Sequence, residues 1–178
     1  SFYERGGLVR LSDGETGSVT IGGTVSPAGG NFDEPVTQAT LKVVGAFHGL
    51  SSARSDARRY PSIDPLDSWS HYRSIAADDD LRLAREVLQT GAEVNQMMKV
   101  VGEEGTSLED FVTYLKAEYL DAAYLQQDAY HEVDCATSSE RQALVFNAIM
   151  GWLRNPLRFP NMADARHFFQ QMTQATKD

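Results

Sequence analysis

Only one cysteine, Cys135, occurs in the 178 residues, which excludes an internal disulfide framework and suits a reducing compartment. Long apolar runs are missing as well, so no segment is expected to span a bilayer. Basic residues are scarce: 16 Lys and Arg against 25 Asp and Glu give a net charge of -9. A nucleic-acid binder needs a concentrated basic surface, so that class is set aside. None of the four lysines, Lys42, Lys99, Lys116 and Lys177, follows a glycine. A Walker A loop is therefore absent, and these residues alone are not expected to hydrolyse a nucleotide. The histidines His48, His71, His131 and His167 are scattered, and no Ser or Cys nucleophile is ordered against a base. His131 and Cys135 are four apart, but a lone pair falls short of the three or four ligands that zinc takes. No catalytic residue and no metal ligand is expected.

What is present divides at the stretch RRYPSIDPLDSWSHY, Arg58 to Tyr72. Pro61 and Pro65 each lack an amide hydrogen and push the preceding residue towards extended geometry, which predicts a stiff connector rather than a helix. It holds the Tyr60 ring beside a rigid Pro61, where it could stack on a flat ligand. Before the connector, GSVTIGGTV over Gly17 to Val25 is β-branched enough for one strand, with Leu8 to Leu11 pairing across the turn at Ser12, Asp13 and Gly14. SPAGGNFDEP, Ser26 to Pro35, reads as a loop; with no Gly-Lys-Ser/Thr after Gly29 and Gly30, a tight surface turn is favoured over a phosphate cradle. Pro35 then opens a helix expected to run through PVTQATLKVVGAFHGL, with Val36, Ala39, Thr40, Val43, Val44 and Phe47 on one face. Arg54, Arg58 and Arg59 are read as a solvated surface.

Beyond Tyr72 the apolar spacing is helical. Leu81, Ala84, Leu88, Gly91, Val94, Met98 and Val101 predict a helix from about Asp80, with Asp78, Asp79 and Asp80 at its N-terminus, where carboxylates meet the positive end of the dipole. GEEGT interrupts it. Ser107 caps the next helix, whose stripe is Leu108, Phe111, Val112, Leu115, Tyr119 and Ala122; the short loop makes the two an antiparallel hairpin. Thr137 and Glu140 suggest a capping box for a third helix bearing Val145, Ala148, Ile149 and Trp152, stopped by Asn155, Pro156 and Pro160. A last helix carries Ala165, Phe168, Phe169 and Met172. The opening SFYERGG reads as the tail of a helix begun upstream, so a piece of a longer protein is expected.

Four stretches, SFYERGG, GSVTIGGTVSPAGGNFDEPVTQATL, RRYPSIDPLDSWSHY and YLQQDAYHEVD, together resemble the C-terminal part of the catalytic A subunit of V-type and A-type rotary ATPases, in that family's order and spacing. They cover most of Ser1 to Asp134; the last two helices match in pattern only. Departures are local: Ala28 stands for a proline, Asn31 for an aspartate, His48 for a tryptophan, and YPSIDPLDS is closer to the F-type β subunit. Where B subunits carry an arginine after Ser-x-Ser, this chain has His71 after Ser68, Trp69 and Ser70, which favours the catalytic type.

The resemblance implies an α+β fold, mainly α. Residues 1 to 72 would be the end of a RecA-like α/β nucleotide-binding domain without its Walker A loop, and 73 to 178 an all-helical C-terminal domain. It implies an ion-translocating ATPase or ATP synthase in the full-length subunit, with ATP or ADP and Mg as its ligands and the catalytic and magnesium-binding residues upstream. It places Tyr60 and Pro61, with Gln127, Ala129 and Tyr130, around an adenine ring. Its partners would be B-type subunits in an alternating hexamer and a central rotor stalk touched by the loop Gly102 to Ser107. The complex would sit peripherally on the cytoplasmic face of a membrane, reaching the bilayer only through its ion-translocating sector. The competing reading is a non-enzymatic docking module from a diverged or truncated relative.

Overall fold

The computed structural model describes residues 2–72 and 74–177. Ser1 of the opening stretch and Arg73, the first residue of the expected helical domain, lie outside the described residues. The backbone forms two compact units, Ser1–Phe47 with Trp69–Tyr72, and His48–Ser68 with Arg73–Asp178. Mostly helical elements are accompanied by two small sheets.

In the first unit, β1 (Gly7–Arg10) and β2 (Thr16–Val19) pair antiparallel, Gly7 opposite Val19 and Arg10 opposite Thr16. The turn closes through Leu11 N–H to the Glu15 carbonyl at 2.8 Å, with Gly14 at φ 90°, a left-handed value that glycine adopts without a Cβ penalty. The strand expected to reach Val25 stops at Val19. Its partner runs out there, because the Gly6 amide is already engaged by the Tyr3 carbonyl in a 3-10 turn. In α1 (Pro35–Leu41), the Glu34 carboxylate accepts from the amides of Val36 and Thr37, and Pro35 stands where no amide hydrogen is required.

This helix ends at Leu41, well short of the expected Leu50. Val43, Val44 and Gly45 are poor helix formers, and Ala46–Phe47 (β3) instead pairs with Trp69–Ser70 (β4). A row of rings fixes that pairing: Phe32 lies edge-on to Phe47 at 5.5 Å, Phe47 is 6.4 Å from Trp69, and Trp69 is 4.7 Å from His71. Non-local pairing has overridden a locally helical spacing.

In the second unit, a short helix α2 (Ser52–Asp56), capped by the Ser51 hydroxyl, precedes the proline-rich segment. The long α3 (Asp78–Val101) and α4 (Leu108–Leu120) form the anticipated hairpin around Glu103–Gly105, a single 3-10 turn. Ser107 accepts from the Asp110 amide, as its position in the sequence suggests. Asp78, Asp79 and Asp80 occupy the first turn of α3, but Asp80 is buried and ion-paired with Arg154. After α4 the chain makes a π-helical turn over Asp121–Leu125.

α5 (Ser139–Leu153) is capped by Ser138 rather than Thr137, because the Thr137 hydroxyl donates to the Val133 carbonyl at 2.8 Å while Ser138 accepts from the Arg141 amide. Its inner face is Phe146, Ile149, Met150 and Leu153; Ala148 and Trp152, expected there, are exposed. α6 (Met162–Lys177) buries Ala165 and Phe169. Phe111, Leu120, Ile149 and Met150 are the largest fully buried side chains, each worth about 1.5 to 3 kcal/mol by transfer. The core of this unit therefore lies among α4, α5 and α6, with α3 packing on it through Ala84, Leu81 and Leu88.

Candidate functional site

The residues singled out from the sequence sit on two loops of the second unit. One is the segment after α2, where the Tyr60-Pro61 peptide is cis and both residues are exposed. Backbone pairing braces it from behind: the Ser51 amide donates to Ser62 at 2.8 Å and the Asp64 amide to Gly49 at 2.7 Å. The other is Gln126 to Asp134, which follows the π-helical turn. That loop is tied to itself. The Asp128 amide donates to the Asp134 carboxylate, and the Tyr130 amide to the Asp128 carboxylate, both at 2.9 Å.

A backbone hydrogen bond joins the two loops: the Gln127 amide donates to the Tyr60 carbonyl at 2.8 Å. Tyr60 is 51% exposed and Tyr130 97% exposed, and Gln127 and Ala129 also face solvent. Neither tyrosine ring stacks on another ring among the described residues. Tyr60 and Gln127 are thus brought together through their backbones, and Tyr130 is held within its own loop by Asp128.

Beneath this junction lies a feature that the sequence reading missed. Arg54 and Arg59, expected on a solvated face, converge on Asp121, whose residue is only 4% exposed. Arg54 Nη2 donates to Asp121 Oδ1 at 2.8 Å, Arg59 Nη1 donates to Asp121 Oδ2, and Arg59 Nη2 donates to Glu118 at 2.7 Å. The correction has a physical cause: a carboxylate buried at the end of α4 must be paired, and guanidinium forks suit it. Burial by itself lowers the affinity of Arg59 for its proton, but the hydrogen bond and charge of Glu118, with the charge of Asp121, raise it overall. Each oxygen of Asp121 thus accepts from a different guanidinium group. An acid at the end of an apolar stripe and arginines in a polar segment are the only sequence traces of the cluster, and their partners lie too far along the chain for spacing to reveal.

A cleft of about 190 Å³ adjoins the cluster, lined by Asp64 and Pro65, by Leu88 and Asn95 of α3, and by Tyr114 and Glu118 of α4. Burial and then the Glu118 charge push the Tyr114 phenol up. At the far end of the hairpin, Glu103 receives both its hydrogen bonds from Arg166 at 2.7 Å, while Glu104 is exposed, as is Val100 at 86%. In the first unit, Gly29 and Gly30 both take positive φ, with nothing within 4 Å of a Cβ at either position. Among the described residues no three His, Cys, Asp or Glu side chains converge as a metal site would require, and no helix is long and apolar enough to cross a membrane.

Comparison with known proteins follows the same division. The family described as ATP synthase alpha/beta family, nucleotide-binding domain, matches residues 1–70. The C-terminal domain of V and A type ATP synthase matches residues 81–155. The V-type ATP synthase alpha chain of Treponema denticola is 60% identical over 172 residues, 97% of this chain and 29% of that protein. That of Borrelia turicatae is 57% identical over 178 residues, 100% of this chain and 31% of that protein. A solved structure described as a unique ATP synthase subunit NeqB from Nanoarcheaum equitans superposes with a TM-score of 0.68 at 25% identity, covering 86% of this chain and 38% of that one. The chain therefore spans 29% to 31% of the length of these curated relatives. With two successive family matches and close identity over nearly all its residues, the chain belongs to the family of V-type ATP synthase alpha chains, matching the end of their nucleotide-binding domain and their C-terminal domain.

Proposed function

We propose that these residues form the adenine side of the nucleotide site in an ion-translocating ATPase or ATP synthase. Tyr60 and Tyr130 supply ring faces for the base, and Pro61, Gln127 and Ala129 line the same pocket. The observation that carries this reading is the Gln127 to Tyr60 hydrogen bond, which fastens the two loops together while leaving both rings open to solvent. Stacking of a base on an aromatic ring is worth about 1 to 3 kcal/mol, enough to matter for affinity without any phosphate contact in this chain.

The boundary between the two functional parts falls after Tyr72 in this reading. Mg accompanies the nucleotide, but the described residues offer no cluster to hold it, so no magnesium-dependent step is assigned to them. B-type subunits alternate with the full-length subunit in a ring at the cytoplasmic face of a membrane, and the loop Gly102 to Ser107 presses on the rotor stalk. The exposed Glu104 gives that loop an acidic contact and Val100, near the end of α3, an apolar one, whereas Glu103 is already engaged by Arg166. Filling of the base site shifts the helical unit, and the hairpin carries the displacement.

The test is nucleotide titration of the full-length protein carrying Tyr60→Ala or Tyr130→Ala. The expected result is a loss of affinity of about tenfold, or 1.4 kcal/mol, in each. Unchanged affinity in both variants overturns the base-site reading and leaves the docking module.

A further inference from the structure

We propose that Asp121 is the positioning residue of the base site: by holding Arg54 and Arg59 it sets the spacing between the Tyr60 and Gln127 loops, and hence the preference for a purine. The inference rests on the base-site reading and deepens it.

Three observations meet at this one residue. Arg59 immediately precedes Tyr60 in the chain, so whatever fixes the Arg59 side chain also restrains the start of the Tyr60-Pro61 segment. Asp121 fixes it, with Glu118 as a second acceptor. Asp121 is also the first residue of the π-helical turn, and its carbonyl accepts from the Gln126 amide at 2.8 Å, one residue before Gln127. Its side chain therefore governs one loop and its backbone the other. The Gln127 to Tyr60 hydrogen bond closes the circuit between them.

The chemistry is specific to a carboxylate in this place. Two oxygens receive two guanidinium groups, and Asp121 is buried, so water cannot replace either partner at low cost. An asparagine keeps the shape but loses the charge and one acceptor. A lysine in place of Arg59 keeps the charge but offers a point rather than a fork, and cannot span Asp121 and Glu118 with the same geometry. Either change loosens the loops without touching the surface that would meet a nucleotide.

The readout is selectivity, because a change in the spacing of two ring-bearing loops alters discrimination between a large and a small base, whereas general destabilisation lowers turnover of both. The full-length protein in its assembly is assayed with ATP and with CTP, which share the same triphosphate. Asp121→Asn is expected to narrow the ATP:CTP ratio of kcat/KM by about tenfold, mainly through KM for ATP, and Arg59→Lys to narrow it by about threefold. Asp121→Asn strands two arginines and can prevent folding, in which case Arg59→Lys alone decides. A ratio unchanged in folded Arg59→Lys overturns the proposal. Tyr60→Ala, measured alongside, separates the two levels. If it narrows the ratio while the Arg59 and Asp121 variants do not, the base site stands and the positioning role falls. If it too leaves the ratio unchanged, the base-site reading itself fails.

Discussion

Gly91 of α3 and Ala117 of α4 approach so closely that a Cβ built on Gly91 would stand 2.2 Å from the Ala117 Cβ. The contact draws the two arms of the hairpin together beside the cleft that adjoins Arg59 and Glu118. Gly91→Ala is thus expected to destabilise the protein by about 1 to 3 kcal/mol through overpacking, although alanine in an open helix would gain about 1 kcal/mol over glycine. Urea denaturation gives the sign directly. A stabilised variant would mean that the hairpin arms can separate freely.

Glu34 shows how pH should act on the first unit. Its carboxylate accepts from the Thr37 hydroxyl and amide and from the Val36 amide, and these hold it below the ordinary glutamate value, the Thr37 hydroxyl contributing most. A folded value below the unfolded one contributes stability that is present above the unfolded value and lost as pH falls through the folded one. Glu34→Gln should therefore be less stable than the parent near neutral pH, with the difference vanishing on acidification below the ordinary carboxylate range. A gap that stays constant with pH would show that charge on Glu34 plays no part in capping α1.

Much of the second unit is legible from residue spacing alone. The stripes of α3 and α4, apart from the exposed Val101 and from Ala122 in the π-helical turn, the Ser107 cap and the prolines beyond α5 act within a turn or two of the chain, where spacing carries the information. What the sequence conceals is set by partners far away. Phe47 fits a helical face, yet it lies in a strand because Trp69 and Phe32 meet it there. Arg54 and Arg59 look like surface residues until Asp121 is placed beside them. The candidate site divides in the same way: proline stiffness marks the Tyr60 segment locally, whereas its junction with Gln127 could be expected only by resemblance to a family.

The tip of the hairpin is held by Arg166 of α6, which donates to both oxygens of Glu103 and stands 5.1 Å over the Phe111 ring. Both partners of the ion pair are about half exposed, so it is worth less than about 1 kcal/mol, and the cation over the ring adds a comparable amount. Arg166→Ala should cost about 1 kcal/mol in low salt. Both bonds leave the single nitrogen Nη2, a contact that a lysine Nζ can also make, so Arg166→Lys should recover the ion pair and lose only the packing of the planar guanidinium over Phe111. Repeating the denaturation at about 1 M salt, where the screening length falls to about 3 Å, should shrink the cost for Arg166→Ala. No salt dependence would assign the whole effect to contact with Phe111.

Gln127 allows backbone and side-chain roles to be separated at one position. Its amide holds the Tyr60 carbonyl, and Gln127→Ala preserves that amide, so the two loops should remain joined and stability should change by less than about 0.5 kcal/mol. Any loss of nucleotide affinity in the full-length Gln127→Ala variant then belongs to the side chain that lines the proposed pocket. Gln127→Pro removes the donor itself and should cost more, about 1 to 3 kcal/mol, by leaving a carbonyl without its partner and altering the loop backbone. Comparable affinity losses in the two variants would place the Gln127 contribution in its side-chain amide. A loss confined to the proline variant would place it in the junction with Tyr60, so that the glutamine serves the base only by holding the tyrosine.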